Sequence, residues 1–124
     1  MQDELTPAEL IKAVADFLRD DITPAISGHS AFKLRVAINA LDLVTRQLAL
    51  ADGGDAAEAI RLKALLGMQG SLLDLNRALS DRIASGEVDL QTPGLAEHLW
   101  QTTMDKLAVD QPNYAAYKRE LGKP

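Results

Sequence analysis

Apolar residues along this chain recur at three- and four-residue intervals, and the alternation that marks a half-buried strand is missing. Thr6-Pro7-Ala8-Glu9 has the form of a capping box with proline at the first helical position. In that motif the threonine oxygen accepts an orphan backbone N–H and the glutamate reaches back. Behind it Leu10, Ile11, Val14, Phe17 and Leu18 gather on one side of a helical wheel. The spacing predicts a first helix from Pro7 to Asp20 or Asp21. Pro24 and Gly28 punctuate the connection that follows, with Ile22 and Ile26 still expected to touch the core.

The second predicted helix is the longest, from Ser30 or Ala31 to Ala51, where Asp52-Gly53-Gly54 reads as a stop. At that length it spans roughly 30 Å. Phe32, Val36, Leu43 and Leu50 line one side, while Leu34, Ala37, Leu41, Val44 and Leu48 line nearly the opposite one. A helix apolar on two sides needs cover on both, which makes it the central element. Asp55-Ala56-Ala57-Glu58 reads as another capping box and opens helix three, which ends at Gly67. Ser71 caps helix four, with Leu72, Leu75, Leu79 and Ile83 as its buried stripe and Gly86 just past its end. Thr92-Pro93 opens helix five, which runs to Val109 and buries Leu95, Leu99, Thr103 and Leu107, with Trp100 and Met104 at the margin. Pro112 ends it, and the tail 113–124, with Tyr114 and Tyr117, either adds a short last helix or frays. The expected architecture is an all-α, single-domain bundle of about five helices over 1–124, with its core at about 6–112. Loops 52–55 and 87–91 are its expected flexible points.

Composition narrows what such a bundle does. The 124 residues are 47% hydrophobic and 25% charged, ordinary for a globular protein, which argues against global disorder. Cysteine is absent, so disulfides, thiolate nucleophiles, zinc ribbons and iron–sulfur clusters are excluded. Eighteen acidic against 13 basic side chains give a formal charge of −5. That balance disfavours nucleic acid and anionic membranes, which attract basic surfaces. Met1-Gln2-Asp3-Glu4 is acidic where a secretory signal is basic, and no segment approaches the ~20 apolar residues of a spanning helix. The expected location is therefore the cytoplasm of a bacterium-like cell.

The narrow polar strip of helix two carries the most chemical interest. Arg35, Asn39, Asp42 and Arg46 fall within about 60° of one another, at spacings that let neighbours meet. Asp42 is placed to pair with Arg46, and Asn39 to bridge toward Arg35. Two guanidinium groups and an amide on one strip suit a carboxylate or phosphate, which guanidinium matches bidentately. A solvated edge, or an ion-pair lattice to a neighbouring helix, is the plainer and commoner explanation. Asn76 sits inside the apolar arc of helix four, where an unpartnered amide costs about 1–3 kcal/mol. It is expected to hydrogen-bond across the core, to Asn39 or a helix-terminal carbonyl, and to fix the register of the bundle more readily than to hold a ligand.

The remaining polar residues point to less. His29 lies in the loop before helix two and His98 on the expected outer face of helix five, with no spacing that suggests a shared metal. HExxH, ExxH and EF-hand patterns are absent, and neither a metal nor a cofactor is expected. No serine stands in a nucleophile-elbow context, and Ser30 and Ser71 read as caps. Gly67-Met68-Gln69-Gly70 shares only two residues with a phosphate-clamping loop. Lys106 projects toward the expected buried side of helix five, at the edge of the Leu95/Leu99 stripe. Most of the stretch 105–114 reads as helix termination, with Asp110 and Asn113 as caps and the Tyr114 ring folding back over the bundle; a small polar pocket between its hydroxyl and Lys106 is the rarer alternative.

Three stretches carry a resemblance. They are Phe32-x-x-Arg35-Val36-Ala37-x-Asn39-Ala40-Leu41, then Leu75-Asn76-x-x-Leu79 leading to Ile83-x-x-Gly86-Glu87-x-Asp89, and Lys106-Leu107-x-x-Asp110-x-Pro112-x-Tyr114. From Thr6 to Tyr114 the chain resembles a small bacterial family known only as a domain of unknown function. Gln111 stands where that family's pattern has Asn. Members are typically encoded beside, or linked to, aminoglycoside-phosphotransferase-like kinases, with acyl-CoA dehydrogenases often nearby. The resemblance brings no catalytic residue; it implies an accessory protein of a small-molecule kinase.

Two functions are therefore expected to compete. One is a non-enzymatic helical accessory module that binds such a kinase and, in a weaker form, associates with itself as a homodimer. The other is a binding protein or minor enzyme for a small anionic metabolite, gripped by Arg35, Asn39 and Arg46, with Asn76 nearby and Lys106 and Tyr114 closing the site.

Overall fold

A computed structural model describes residues 4–122, and among these no strand occurs. The protein is all-α. Its α-helices are α1 (Pro7–Phe17), α2 (Gly28–Leu66), α3 (Leu72–Ser85), α4 (Leu95–Asp110) and α5 (Ala115–Glu120). Among the described residues no helix is long and apolar enough to cross a membrane.

Capping residues act where the sequence places them. Glu9 N–H donates to Thr6 Oγ1 at 3.1 Å, and Asp74 N–H donates to Ser71 Oγ at 3.1 Å. Each bond satisfies one orphan donor of a first helical turn. Gly86 ends α3 at φ 81°, a left-handed conformation that a Cβ disfavours, and donates its N–H to Ile83.

The expected stop at Asp52-Gly53-Gly54 is overturned: α2 runs for 39 residues and absorbs both the second and third predicted helices. A glycine ends a helix by turning left-handed. Gly53 and Gly54 do not, whereas Gly67, at φ 64°, terminates α2 and donates its N–H to Lys63 O at 2.9 Å. Asp55 and Glu58 are consequently interior residues of a helix, not a capping box. Glycine in a helix interior costs about 0.5–1 kcal/mol relative to alanine, and nothing lies within 4 Å of a Cβ built at 53 or 54. Gly53→Ala and Gly54→Ala are each expected to stabilise by that amount, read as a higher urea midpoint at unchanged m-value. A loss of stability in both would contradict a continuous α2.

The chain divides into two compact units, Met1–Ala51 and Asp52–Pro124, with the boundary inside α2. In the first unit, α1 loosens into a π-helical turn at Leu18–Ile22 and a 3₁₀ turn at Thr23–Ala25, so the α-helix itself ends earlier than Asp20. Pro24 supplies no N–H, and Ile26 leaves the helix in extended geometry. Only Ala15 and Ile38 are buried among the described residues of this unit. A charged chain crosses it: Lys12 Nζ donates to Asp16 at 2.7 Å, and Arg19 donates to Asp16 at 2.9 Å and to Asp42 at 2.6 Å. The hydrogen bond from Lys12 holds the Asp16 carboxyl below the usual carboxylate range.

Cover on both sides of α2 is not what the first unit provides. Phe32 and Val36 are 54% and 53% exposed, and Val44, Leu48 and Leu50 are also exposed. On α1 the expected core residues Leu10, Val14 and Phe17 are exposed too, leaving Ile11, Ala15 and Leu18 as the flank turned inward. Two helices with a short connection can cover only one arc of each other, and the remaining arcs stay open.

The second unit has a fuller core. Leu62 and Leu66 of α2, Leu75 and Leu79 of α3, Val88 of the connection after α3 and Leu95 of α4 form one buried cluster, with Leu65, Met68, Leu72 and Ala78 packed against it. Arg82 Nη1 donates to the Leu66 carbonyl at 3.0 Å, a cation on the C-terminal end of α2. Thr92 does not open the next helix as expected. Its Oγ1 instead accepts from Asp89 N–H, its own N–H donates to Asp89 O, and Gly94, at φ 91°, becomes the residue before α4. Ile83, Leu99 and Thr103, expected inside, are exposed, as is Trp100 at the margin. The tail adds a short helix, α5.

Candidate functional site

Charged residues three apart on α2, Glu58 and Arg61, reach both other long helices of the second unit. The Asn76 amide on α3 donates to Glu58 Oε1 at 3.4 Å and to the Leu72 carbonyl at 3.1 Å. Arg61 Nε donates to His98 Nδ1 at 3.2 Å, and its Nη2 donates to Thr102 Oγ1 at 3.2 Å. Asp105 lies 3.9 Å from the same guanidinium. His98, Thr102 and Asp105 stand four and three residues apart on α4, so they form one polar ridge facing Arg61.

His98 corrects the expectation of an outer-face histidine: it is 3% exposed. Burial lowers its pKa below the ordinary imidazole value, the Arg61 charge lowers it further, and Glu58 opposes them. An Nδ1 that accepts from Arg61 is unprotonated, so the ring is a neutral imidazole with its proton on Nε2. No described buried side-chain nitrogen or oxygen lacks a hydrogen-bond partner. Such a network fixes the register of α2 against α3 and α4 through directional contacts that an apolar seam does not supply.

Asn76 thus makes an interhelical bond, as its position inside an apolar arc implies, to Glu58 instead of Asn39, and its other bond goes to the carbonyl of Leu72 at the start of its own helix. Asp42 of the α2 strip accepts from Arg19 at 2.6 Å. Arg35 and Asn39 lie exposed on the α2 strip, and Arg46 is half-buried on the same strip, all within the first unit. Lys106 is exposed on α4, and Tyr114 keeps 52% of its surface exposed instead of folding fully back; both belong to the second unit. Sequence reasoning misses Arg61, Thr102 and Asp105, and reads Glu58 as a capping residue instead of a partner of Asn76. Their signal was present as polar residues at 58/61 and 98/102/105, one face of each helix.

A family model for a domain of unknown function, DUF6285, matches residues 24–114. The chain belongs to the DUF6285 family. No curated protein and no solved structure gives a significant match. The DUF6285 match takes in α2, α3, α4 and the whole Glu58–Arg61–His98 network, along with Arg35, Asn39, Arg46, Asn76, Lys106 and Tyr114. It begins later than the Thr6 expected from the resemblance, and α1 lies before it.

Proposed function

We propose that this DUF6285 chain acts by association, as a non-enzymatic helical accessory module whose first unit completes its core on another polypeptide. One observation carries the reading. In the first unit Ala15 and Ile38 alone are buried among the described residues, while ten large hydrophobic side chains from Leu5 to Leu50 are exposed. An apolar side chain left half in water forgoes part of the about 1.5–3 kcal/mol that full burial contributes, and exposed apolar stripes such as Leu10–Val14–Phe17 mark interaction sites in soluble proteins. The polar network of the second unit supports the same reading, because side chains that hydrogen-bond one another serve as scaffold.

A phosphotransferase-like small-molecule kinase is the partner that the family resemblance implies. Co-expression with such a kinase from the same organism, followed by size-exclusion chromatography, is expected to give one co-eluting species at micromolar concentration. Two independent peaks would overturn the heteromeric form. Phe17→Asp is expected to abolish co-elution while leaving far-ultraviolet circular dichroism unchanged, since Phe17 is already exposed.

A further inference from the structure

We infer that the apolar face of the first unit binds a second copy of this chain, α1 of one copy seating on the Phe32/Val36 stretch of α2 in the other. The inference rests on the association reading above and names its occupant. Leu10, Val14 and Phe17 follow one another at four and three residues, a continuous stripe on α1, and are 55%, 44% and 53% exposed. Phe32 and Val36 form the matching pair one turn apart on α2.

Charge distinguishes a second copy from an arbitrary partner. The rim of the α1 stripe is acidic, with Glu9 beside Leu10, and Asp20 and Asp21 beyond Phe17. The rim of the α2 pair is basic, with Lys33 and Arg35 flanking it. All five charges are exposed, and none is in an ion pair among the described residues. One chain therefore carries both halves of a complementary pair. In a two-fold dimer each contact occurs twice, so α1 on α2 places acid against base at both symmetric positions. The resulting group of two helical hairpins gives the open arcs of α1 and α2 the cover that a single hairpin lacks.

The area is sufficient. The five half-exposed side chains offer on the order of 500 Å² per copy, so two copies remove about 1,000 Å² before the charged rim is counted. That reaches the lower bound for a specific interface, and two phenylalanines supply the aromatic anchors that dominate such contacts.

Sedimentation velocity on the full chain, from about 1 to 100 µM, tests the inference. The expected result is a species of twice the 13.4 kDa chain mass that dissociates on dilution. Phe17→Asp and Val36→Asp are each expected to raise the dissociation constant at least about thirtyfold. Arg35→Glu, a surface charge reversal that leaves the fold intact, is expected to raise it about tenfold. Adding Asp20→Lys and Asp21→Lys to Arg35→Glu is expected to restore dimerisation. A wild-type monomer at 100 µM would overturn the inference, as would a dimer indifferent to Phe17→Asp, Val36→Asp and Arg35→Glu. A monomer that binds the co-expressed kinase through Phe17 would overturn self-association alone and leave the association reading standing.

Discussion

Leu62→Ala is expected to destabilise the second unit by about 3 kcal/mol and to lower its melting temperature by roughly 10–20 °C. Leu62 is completely buried on α2, and it packs in the one cluster that joins α2, α3 and α4. Removing three of its carbons forfeits their transfer energy and leaves a cavity that rigid helices on three sides cannot close. The single tryptophan, Trp100 on α4, provides a fluorescence readout within the same unit. Ile60→Ala, two residues away but 70% exposed, is expected to change the midpoint by less than about 1 kcal/mol. Equal losses at both positions would contradict the described face of α2.

His98 gives the second large effect, and it depends on pH. Its folded-state pKa lies below the unfolded value, so between the two the unfolded chain holds the proton and the folded chain does not. Stability from this group is fully present above about pH 6.5 and is lost as pH falls toward the folded pKa. Protonating Nδ1 would also turn the acceptor of Arg61 into a donor beside a like charge. Urea midpoints followed by Trp100 fluorescence are expected to fall between pH 7 and 5 in the wild type. In His98→Gln, which retains an acceptor and cannot titrate, that part of the fall should disappear. His98→Ala is expected to lose about 1–3 kcal/mol at pH 7, because Arg61 Nε is left without its acceptor in a half-buried position. Identical pH profiles for wild type and His98→Gln would contradict the buried neutral imidazole.

Local chemistry explains what the sequence revealed and what it concealed. Thr6, Ser71 and Gly86 act through atoms within three residues of themselves, so their roles are legible without any tertiary information. Gly53 and Gly54 show the limit of that legibility. A glycine permits a left-handed stop but does not require one, and the continuing helical pattern on either side carries α2 through. Helical wheels identify which arcs of α1 and α2 are apolar, not which neighbour covers them. A wheel therefore places Leu10, Val14, Phe17 and Phe32 in a core that their own unit does not provide. His98 was hidden for a related reason. Its burial depends on Arg61, thirty-seven positions earlier, and a histidine next to Glu97 reads as surface until that pairing is known.

Amide hydrogen exchange across α1 tests most directly whether the first unit completes its core by association. Exchange of residues 7–17 is followed in the full chain at about 1 and 100 µM, alone and with the co-expressed kinase. The expected result is fast exchange in dilute isolated chain and strong protection once the Leu10–Val14–Phe17 stripe is covered, with α3 protected under every condition. Equal protection of α1 and α3 in dilute, unpartnered chain would show a first unit that is complete by itself, and would contradict the account.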